Sequence, residues 1–366
     1  MNHTGVSHGG NWQEIQQRYG WAPEEILDFS VNINPWGPPP GVWACLADNL
    51  KAVRRYPDPN NMQLKEALSS YLQVPREALL IGNGASEIIY LLCFLLRPKA
   101  VLLAEPTFAE YSRAAGAAGS KLVTLRLQPS DGFRLEVGAY CRQLSQVDMA
   151  FLCHPNNPVG NLLDEEDLQR IWEESERRGT WLVVDESFLD FVPEWPKISL
   201  CRVAARASRL IVLRSLTKFF ALPGLRLGCA VAAPDLIRYL EARRDPWSVN
   251  ILAQMAGVEA LKDQDYQLRT RTWLEKERGR FYRELASLPG IRPYPSQTNF
   301  FLVDISFSGW ASSQLAEACA RRRVIIRDCS SFPGLQQDYV RVAVKQEEAN
   351  NCLLRVLREL LEGGRS

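Results

Sequence analysis

The sequence predicts an α/β fold, in which a mostly parallel sheet wrapped by helices is followed by a smaller α+β domain. Three observations carry that reading. Short apolar runs recur at 78–81, 100–104, 149–153, 181–185 and 210–213, and unbroken runs of this length suit strands covered on both faces. Between them, 86–96, 107–118 and 164–178 show helical patterns long enough for right-handed crossovers. At 366 residues and 46% hydrophobic content the chain can bury a full core, and its length favours about two domains.

The order of elements divides the chain. Residues 1–45 read as an N-terminal arm and part of the small domain, 46–250 as the large domain, and 251–366 as a connector helix and the small C-terminal domain. Segment 234–288 is helical with a charged outer face and leads out of the sheet. A strand at 299–304, a helix at 312–322, strands at 324–327 and 339–344, and a helix at 346–361 follow. In open sheets of this kind ligands gather at the C-terminal ends of the strands.

Composition narrows the function classes. Forty-three basic against forty-two acidic residues leave a formal charge of +1, so no whole-molecule field recruits nucleic acid or an anionic membrane, and an anionic ligand must be caught locally. Nine cysteines, never spaced C-x-x-C, and three histidines argue against a disulfide framework or a metal centre. The N-terminus carries no signal pattern and no apolar run approaches the ~18 residues that span a bilayer. A cytoplasmic protein is expected.

Lysine is scarce, which makes Ser215-Leu216-Thr217-Lys218 conspicuous. Lys218 stands between an apolar strand and an apolar Gly/Pro turn, and a desolvated lysine loses its proton more easily and becomes a nucleophile. A lone lysine of this kind also reads as one that snorkels to the surface. Its neighbours favour the first reading: Ser215 and Thr217 offer hydroxyls, and Arg226 a cation, for one shared anion. Gly82-Asn83-Gly84-Ala85-Ser86 is a second candidate phosphate cradle, since glycines between strand and helix free N–H groups at a positive helix end; a plain turn has the same signature. Asp185 closes the apolar run 181–184, where a carboxylate is costly unless it meets a cation. Asn157 ends another run and could donate to a ring oxygen, or simply form an Asn-Pro turn.

Asn156-Asn157-Pro158-Val159-Gly160, Val184-Asp185-Glu186, the stretch 215–228 and Arg54-Arg55-Tyr56-Pro57-Asp58-Pro59 together resemble fold-type I pyridoxal-phosphate (PLP) enzymes of the histidinol-phosphate aminotransferase kind, over nearly the whole chain. Ser7-His8-Gly9-Gly10-Asn11, the stretch 29–35 and Pro106-Thr107-Phe108-Ala109-Glu110-Tyr111 are similar to the threonine-phosphate decarboxylases of cobamide biosynthesis. The resemblance implies Lys218 as the amine that binds PLP as a Schiff base, Asp185 on the pyridine nitrogen, Asn157 on the phenolic oxygen and Phe108 stacked on the ring. It implies Ala85, Ser86, Ser215, Thr217 and Arg226 around the cofactor phosphate, with Tyr56 reaching across from a second subunit of a homodimer. One departure stands out: Phe188 occupies the position where those aminotransferases usually carry a tyrosine, so one donor to the phenolic oxygen is missing.

In such chemistry the Cα bond standing perpendicular to the cofactor ring breaks most easily, so the anchors of the substrate's anions choose the reaction. Arg327 and Arg341 each match a family arginine and suit carboxylate or phosphate equally, although both could be edge-strand surface charges. His8 and Gly9 could close over a substrate phosphate, and Asn32 could touch substrate or cofactor. The expected reaction is decarboxylation of a phosphorylated amino acid, O-phospho-L-threonine or O-phospho-L-serine. The alternatives are an aminotransferase acting on histidinol phosphate or a related amino acid, and a non-catalytic PLP-binding protein.

Overall fold

The computed structural model describes residues 9, 10 and 12–363, so His8 lies outside the described residues. After a short first strand, β1 (Leu27–Asp28), the chain lays down a central sheet of seven strands. They are β2 (Leu79–Gly82), β3 (Ala100–Glu105), β4 (Lys121–Arg126), β5 (Met149–Cys153), β6 (Trp181–Asp185), β7 (Leu210–Ser215) and β8 (Gly228–Val231), in the spatial order β2-β8-β7-β6-β5-β3-β4. The run from β4 to β7 is parallel, and only β8 is antiparallel to its neighbours.

Alternate residues of a strand point to opposite faces, and both faces here are covered. Leu80, Val101, Phe151, Val183 and Ile211 meet Ile88, Leu92, Ala114 and Ile237 on one side. Ile81, Leu102, Ala150, Val184 and Val212 belong to the larger core on the other. That double covering is why the strands read as unbroken apolar runs. The edge strand β4, whose Lys121, Leu122, Thr124 and Arg126 are exposed, lacked that signature and was not anticipated. Neither was β8, four residues that follow a turn too short for a helical crossover.

Helix Glu165–Arg178 shows how local chemistry sets the crossovers. Asp164 accepts a hydrogen bond from the Asp167 amide at 2.8 Å, three acidic residues fill the first turn, Arg177 and Arg178 the last, and Gly179 ends it at φ +70°. By contrast, the helix expected at 107–118 starts only at Glu110. Thr107 Oγ1 donates to Asn156 Oδ1 at 3.3 Å and Asn156 Nδ2 donates to Pro106 O at 3.0 Å, so the preceding segment is tied to the loop after β5 instead.

The smaller sheet is antiparallel, built from β9 (Arg292–Pro293), β10 (Phe300–Asp304), β12 (Arg327–Asp328) and β13 (Tyr339–Ala343) in the order β12-β13-β10-β9. Between them in sequence, β11 (Val324–Ile325) pairs in parallel with β1, Leu27 opposite Val324. The strand expected at 324–327 is therefore two, parted at buried Ile326 because each half finds a different partner. Helices Gln264–Ala286, Ser312–Ala320 and Glu347–Glu362 pack around this sheet. Among the described residues no helix is long and apolar enough to cross a membrane.

Candidate active site

The ends of β2, β5, β6 and β7 converge on a cavity of about 510 Å³. Of the residues expected from sequence, Lys218, Asp185, Asn157, Ala85, Ser86, Phe108, Ser215, Thr217, Arg226, Gly9, Asn32, Arg327 and Arg341 all line it. Tyr56 does not: it is 80% exposed on the surface, its ring 5.1 Å from that of Trp247. A larger cavity of about 630 Å³ lies alongside, bordered by Phe133, His154 and Tyr294 and sharing Cys153. It contains no lysine, so the chemistry points to the smaller one.

Lys218 sits in the turn joining β7 to β8, where Leu216, Phe219 and Phe220 are buried around it and its carbonyl accepts from the Asn34 amide at 3.0 Å. Desolvation, reinforced by the charges of Arg341 and Arg226, lowers its amine from 10.5 to about 8, with Asp185 opposing the shift. A useful fraction of neutral amine therefore exists near physiological pH.

Asp185, at the end of β6, is 4% exposed and bonded at both oxygens. Oδ1 accepts from the Ser187 amide at 2.9 Å, and Oδ2 from Tyr111 Oη at 2.7 Å. Tyr111 had been noticed only as part of a motif; its spacing of three from Phe108 at a helix start was the available sign that the two share a face. The neighbouring Glu186 faces away from the cavity. It accepts from Arg214 at 2.9 Å, Ser199 at 2.6 Å and the Leu200 amide at 2.8 Å, while Arg214 also pairs with Asp190. This buried network anchors β7 just before Ser215, and the sequence reading missed it.

Asn157 Oδ1 accepts from Arg341 Nη1 at 2.5 Å, which leaves the Asn157 Nδ2 as the donor end of the carboxamide. Arg341 Nη2 donates to Ser30 O at 2.9 Å, and its Nε is buried without a partner. Desolvation lowers the guanidinium to about 10. Asn32 Oδ1 is likewise buried without a partner. Arg327 Nη2 donates to Ser331 Oγ at 2.8 Å and its guanidinium lies 5.6 Å from the Phe332 ring. Phe188 lines the same cavity, edge-on to Phe300 at 5.1 Å, and brings no hydroxyl.

Helix Ala85–Leu96 opens on this cavity with Gly84 as its N-cap, and no side chain caps it. Gly84 takes φ +79°, and a Cβ there would lie 2.5 Å from Arg226 Nη2. A Cβ on Gly228 would lie 2.6 Å from the Ala85 amide nitrogen. The two glycines thus let the arginine, the turn and the first helical N–H groups close on one small volume, a ready anion site. Ser215 Oγ accepts from the Thr217 amide at 3.3 Å beside it. Amine, carboxylate, carboxamide and anion cradle together fit the aldehyde, ring nitrogen, phenolic oxygen and phosphate of PLP.

Comparison with known proteins identifies the family. The family model "Aminotransferase class I and II" matches residues 24–357. The threonine-phosphate decarboxylase of Salmonella typhimurium is 38% identical over 358 residues, 98% of this chain and 97% of that protein. Among solved structures, the histidinol-phosphate aminotransferase from Clostridium acetobutylicum superposes with a TM-score of 0.87 at 30% identity, covering 93% of this chain and 100% of that one. The L-threonine-O-3-phosphate decarboxylase from Porphyromonas gingivalis gives 0.81 at 27% identity, over 92% and 100%. The chain belongs to the class I and II aminotransferase family of PLP-dependent enzymes.

Proposed function

We propose that this protein is a PLP-dependent decarboxylase that removes the α-carboxylate of O-phospho-L-threonine and releases 1-aminopropan-2-yl phosphate for the cobamide nucleotide loop. The observation that carries the reading is the presence of two buried arginines, Arg327 and Arg341, in the same cavity as a lysine whose amine desolvation lowers to about 8. A substrate with two separate anions and an amine answers that arrangement. The full-length likeness to a threonine-phosphate decarboxylase supports it.

Bound PLP supplies an aldehyde that condenses with the amine and a cationic ring that accepts the electron pair left at Cα. The chain's own groups do the rest. Lys218 would hold the cofactor through its amine and, once that amine is free, would be the group placed to supply the proton that replaces CO₂ at Cα. Asp185 would face the ring nitrogen, Asn157 Nδ2 would donate to the phenolic oxygen, and Phe108 would cover one ring face. Arg226, Ser215, Thr217, Ser86 and the Ala85 N–H hold the cofactor phosphate.

The two arginines divide by their neighbours. Arg341 acts electrostatically on Lys218 and is bonded to Asn157, whereas Arg327 is not among the charges that shift the lysine. Cα carries the carboxylate directly and the phosphate two bonds further out. Arg341 therefore takes the carboxylate and Arg327 the phosphate.

The functional unit is a homodimer. Trp36, Trp43, Leu50, Val53, Tyr56 and Met62 are all between 49% and 80% exposed within one short stretch of chain, an apolar patch of the kind that associates. Across it, Tyr56 of each subunit reaches the other's cofactor phosphate. An aminotransferase acting on histidinol phosphate is the competing reading, favoured by the close superposition on the Clostridium acetobutylicum enzyme. One assay separates the two: purified protein with PLP and phosphothreonine should release CO₂ and the amine phosphate, and turnover that requires a 2-oxo acid acceptor would overturn the decarboxylase reading.

A further inference from the structure

Asp185 owes half of its hold to a residue outside the loops that carry the site. Tyr111, wholly buried on helix Glu110–Ala117, donates from Oη to Asp185 Oδ2 at 2.7 Å. Its ring lies flat on Phe151, 4.8 Å between centroids and 9° between planes, and edge-on to Phe108 at 5.5 Å. One side chain thus touches both groups assigned above to the cofactor ring, Phe108 on its face and Asp185 on its nitrogen. We propose that Tyr111 is a positioning residue that aims the Asp185 carboxylate by a hydrogen bond at Oδ2, and through it favours the proton on the ring nitrogen. This deepens the cofactor assignment above and rests on it.

The direction follows from where one proton resides. Between a carboxylate and a pyridine nitrogen it sits either on nitrogen, leaving a cationic ring, or on oxygen, leaving a neutral one. A donated hydrogen bond stabilises the carboxylate over the acid, so it favours the proton on nitrogen. The Ser187 amide does this at Oδ1 and Tyr111 at Oδ2. Burial and the neighbouring Asp185 charge push the Tyr111 phenol well above its usual 10, so it remains a donor throughout the working range. The other ionisable groups facing Asp185 are Cys153 on β5, whose thiol is pushed up to about 12 by burial and stays neutral, and Lys218 in the β7–β8 turn, itself flanked by Arg226 and Arg341. Lys218 is committed to the cofactor aldehyde, so the tyrosine is the side chain free to serve the carboxylate.

Tyr111→Phe keeps the ring contacts and deletes only the hydroxyl. In protein loaded with PLP labelled with ¹⁵N in the ring, the nitrogen resonance of the variant should move from the protonated toward the neutral position. Cofactor affinity should fall by about ten- to a hundredfold, the scale of one hydrogen bond to a charged group. Phe151→Leu, which disturbs the stack and spares the hydroxyl, should keep the wild-type resonance. Should Tyr111→Phe not fold, Tyr111→Met offers the same comparison. An unmoved resonance in the donorless variant, or an equal shift in Phe151→Leu, overturns the proposal while leaving the cofactor assignment standing. Wild-type protein that takes up no PLP sinks that assignment instead.

Discussion

Replacing Lys218 with methionine should abolish cofactor colour and, at the same time, stabilise the cofactor-free protein at neutral pH. The lysine titrates near 8 in the folded chain against 10.5 ordinarily, a difference of ~3 kcal/mol at about 1.4 kcal/mol for each tenfold change. Because the amine is partly open to the cavity, roughly 1–2 kcal/mol is the part expected to survive solvent screening. The sign is set by linkage: between pH 8 and 10.5 the unfolded chain binds more protons than the folded one, so wild-type stability rises with pH across that window. Below pH 8 the cost of folding around a charged amine is fully present, and above about 10.5 it is gone. Urea unfolding of both cofactor-free proteins at several pH values between 7 and 10.5 reads this directly. The variant should lead by about 1–2 kcal/mol at pH 7, with the lead shrinking toward zero as pH rises. A lead that does not change with pH, or a variant less stable than wild type at pH 7, would refute the claim that desolvation is what tunes this amine.

Three further outcomes follow from the same geometry. Arg214→Met removes the partner of two buried carboxylates, Glu186 and Asp190, and should cost about 3–5 kcal/mol in urea unfolding at pH 7; the deficit should narrow on acidification, as the stranded carboxylates take up protons in the folded state. Gly84→Ala forces a side chain into φ +79° and to 2.5 Å from Arg226, so PLP titration followed by fluorescence should show at least roughly tenfold weaker binding. Arg327→Ala should raise KM for phosphothreonine by about tenfold or more and abolish competition by inorganic phosphate, whereas Arg341→Lys should mainly lower kcat; the reverse pattern would exchange the two arginines' assignments.

The sequence made some layers of this molecule more legible than others, and the reason is physical. Strands β3, β5, β6 and β7 announced themselves because burial on both faces demands unbroken apolar runs, and β6 and β7 end on Asp185 and Ser215, which line the cavity. The edge strand β4 and the return strand β8 carried no such demand. Arg327 and Arg341 could be suspected from alternating strand patterns, but their partners could not: Arg341 reaches Asn157, 184 positions away, and Ser30, 311 positions away. Contacts of that separation are decided by how the two sheets dock. Tyr111 and Arg214 were hidden for the same reason, since an aromatic or arginine in an apolar segment looks alike whether it packs idly or holds a carboxylate.

The charges in the cavity let a nearly neutral chain catch anions locally. Lys218, Arg226, Arg327 and Arg341 line it against Asp185, while Glu110 is spent on Arg113 at 2.8 Å. Confined in a poorly solvated space, Arg341 and Arg226 repel the proton on Lys218, which adds to desolvation in lowering the amine to about 8. Every anion that enters cancels some of the repulsion. Under the assignments proposed above, a cofactor phosphate would offset Arg226 and a substrate carboxylate Arg341, so the proton affinity of the lysine would climb as the site fills.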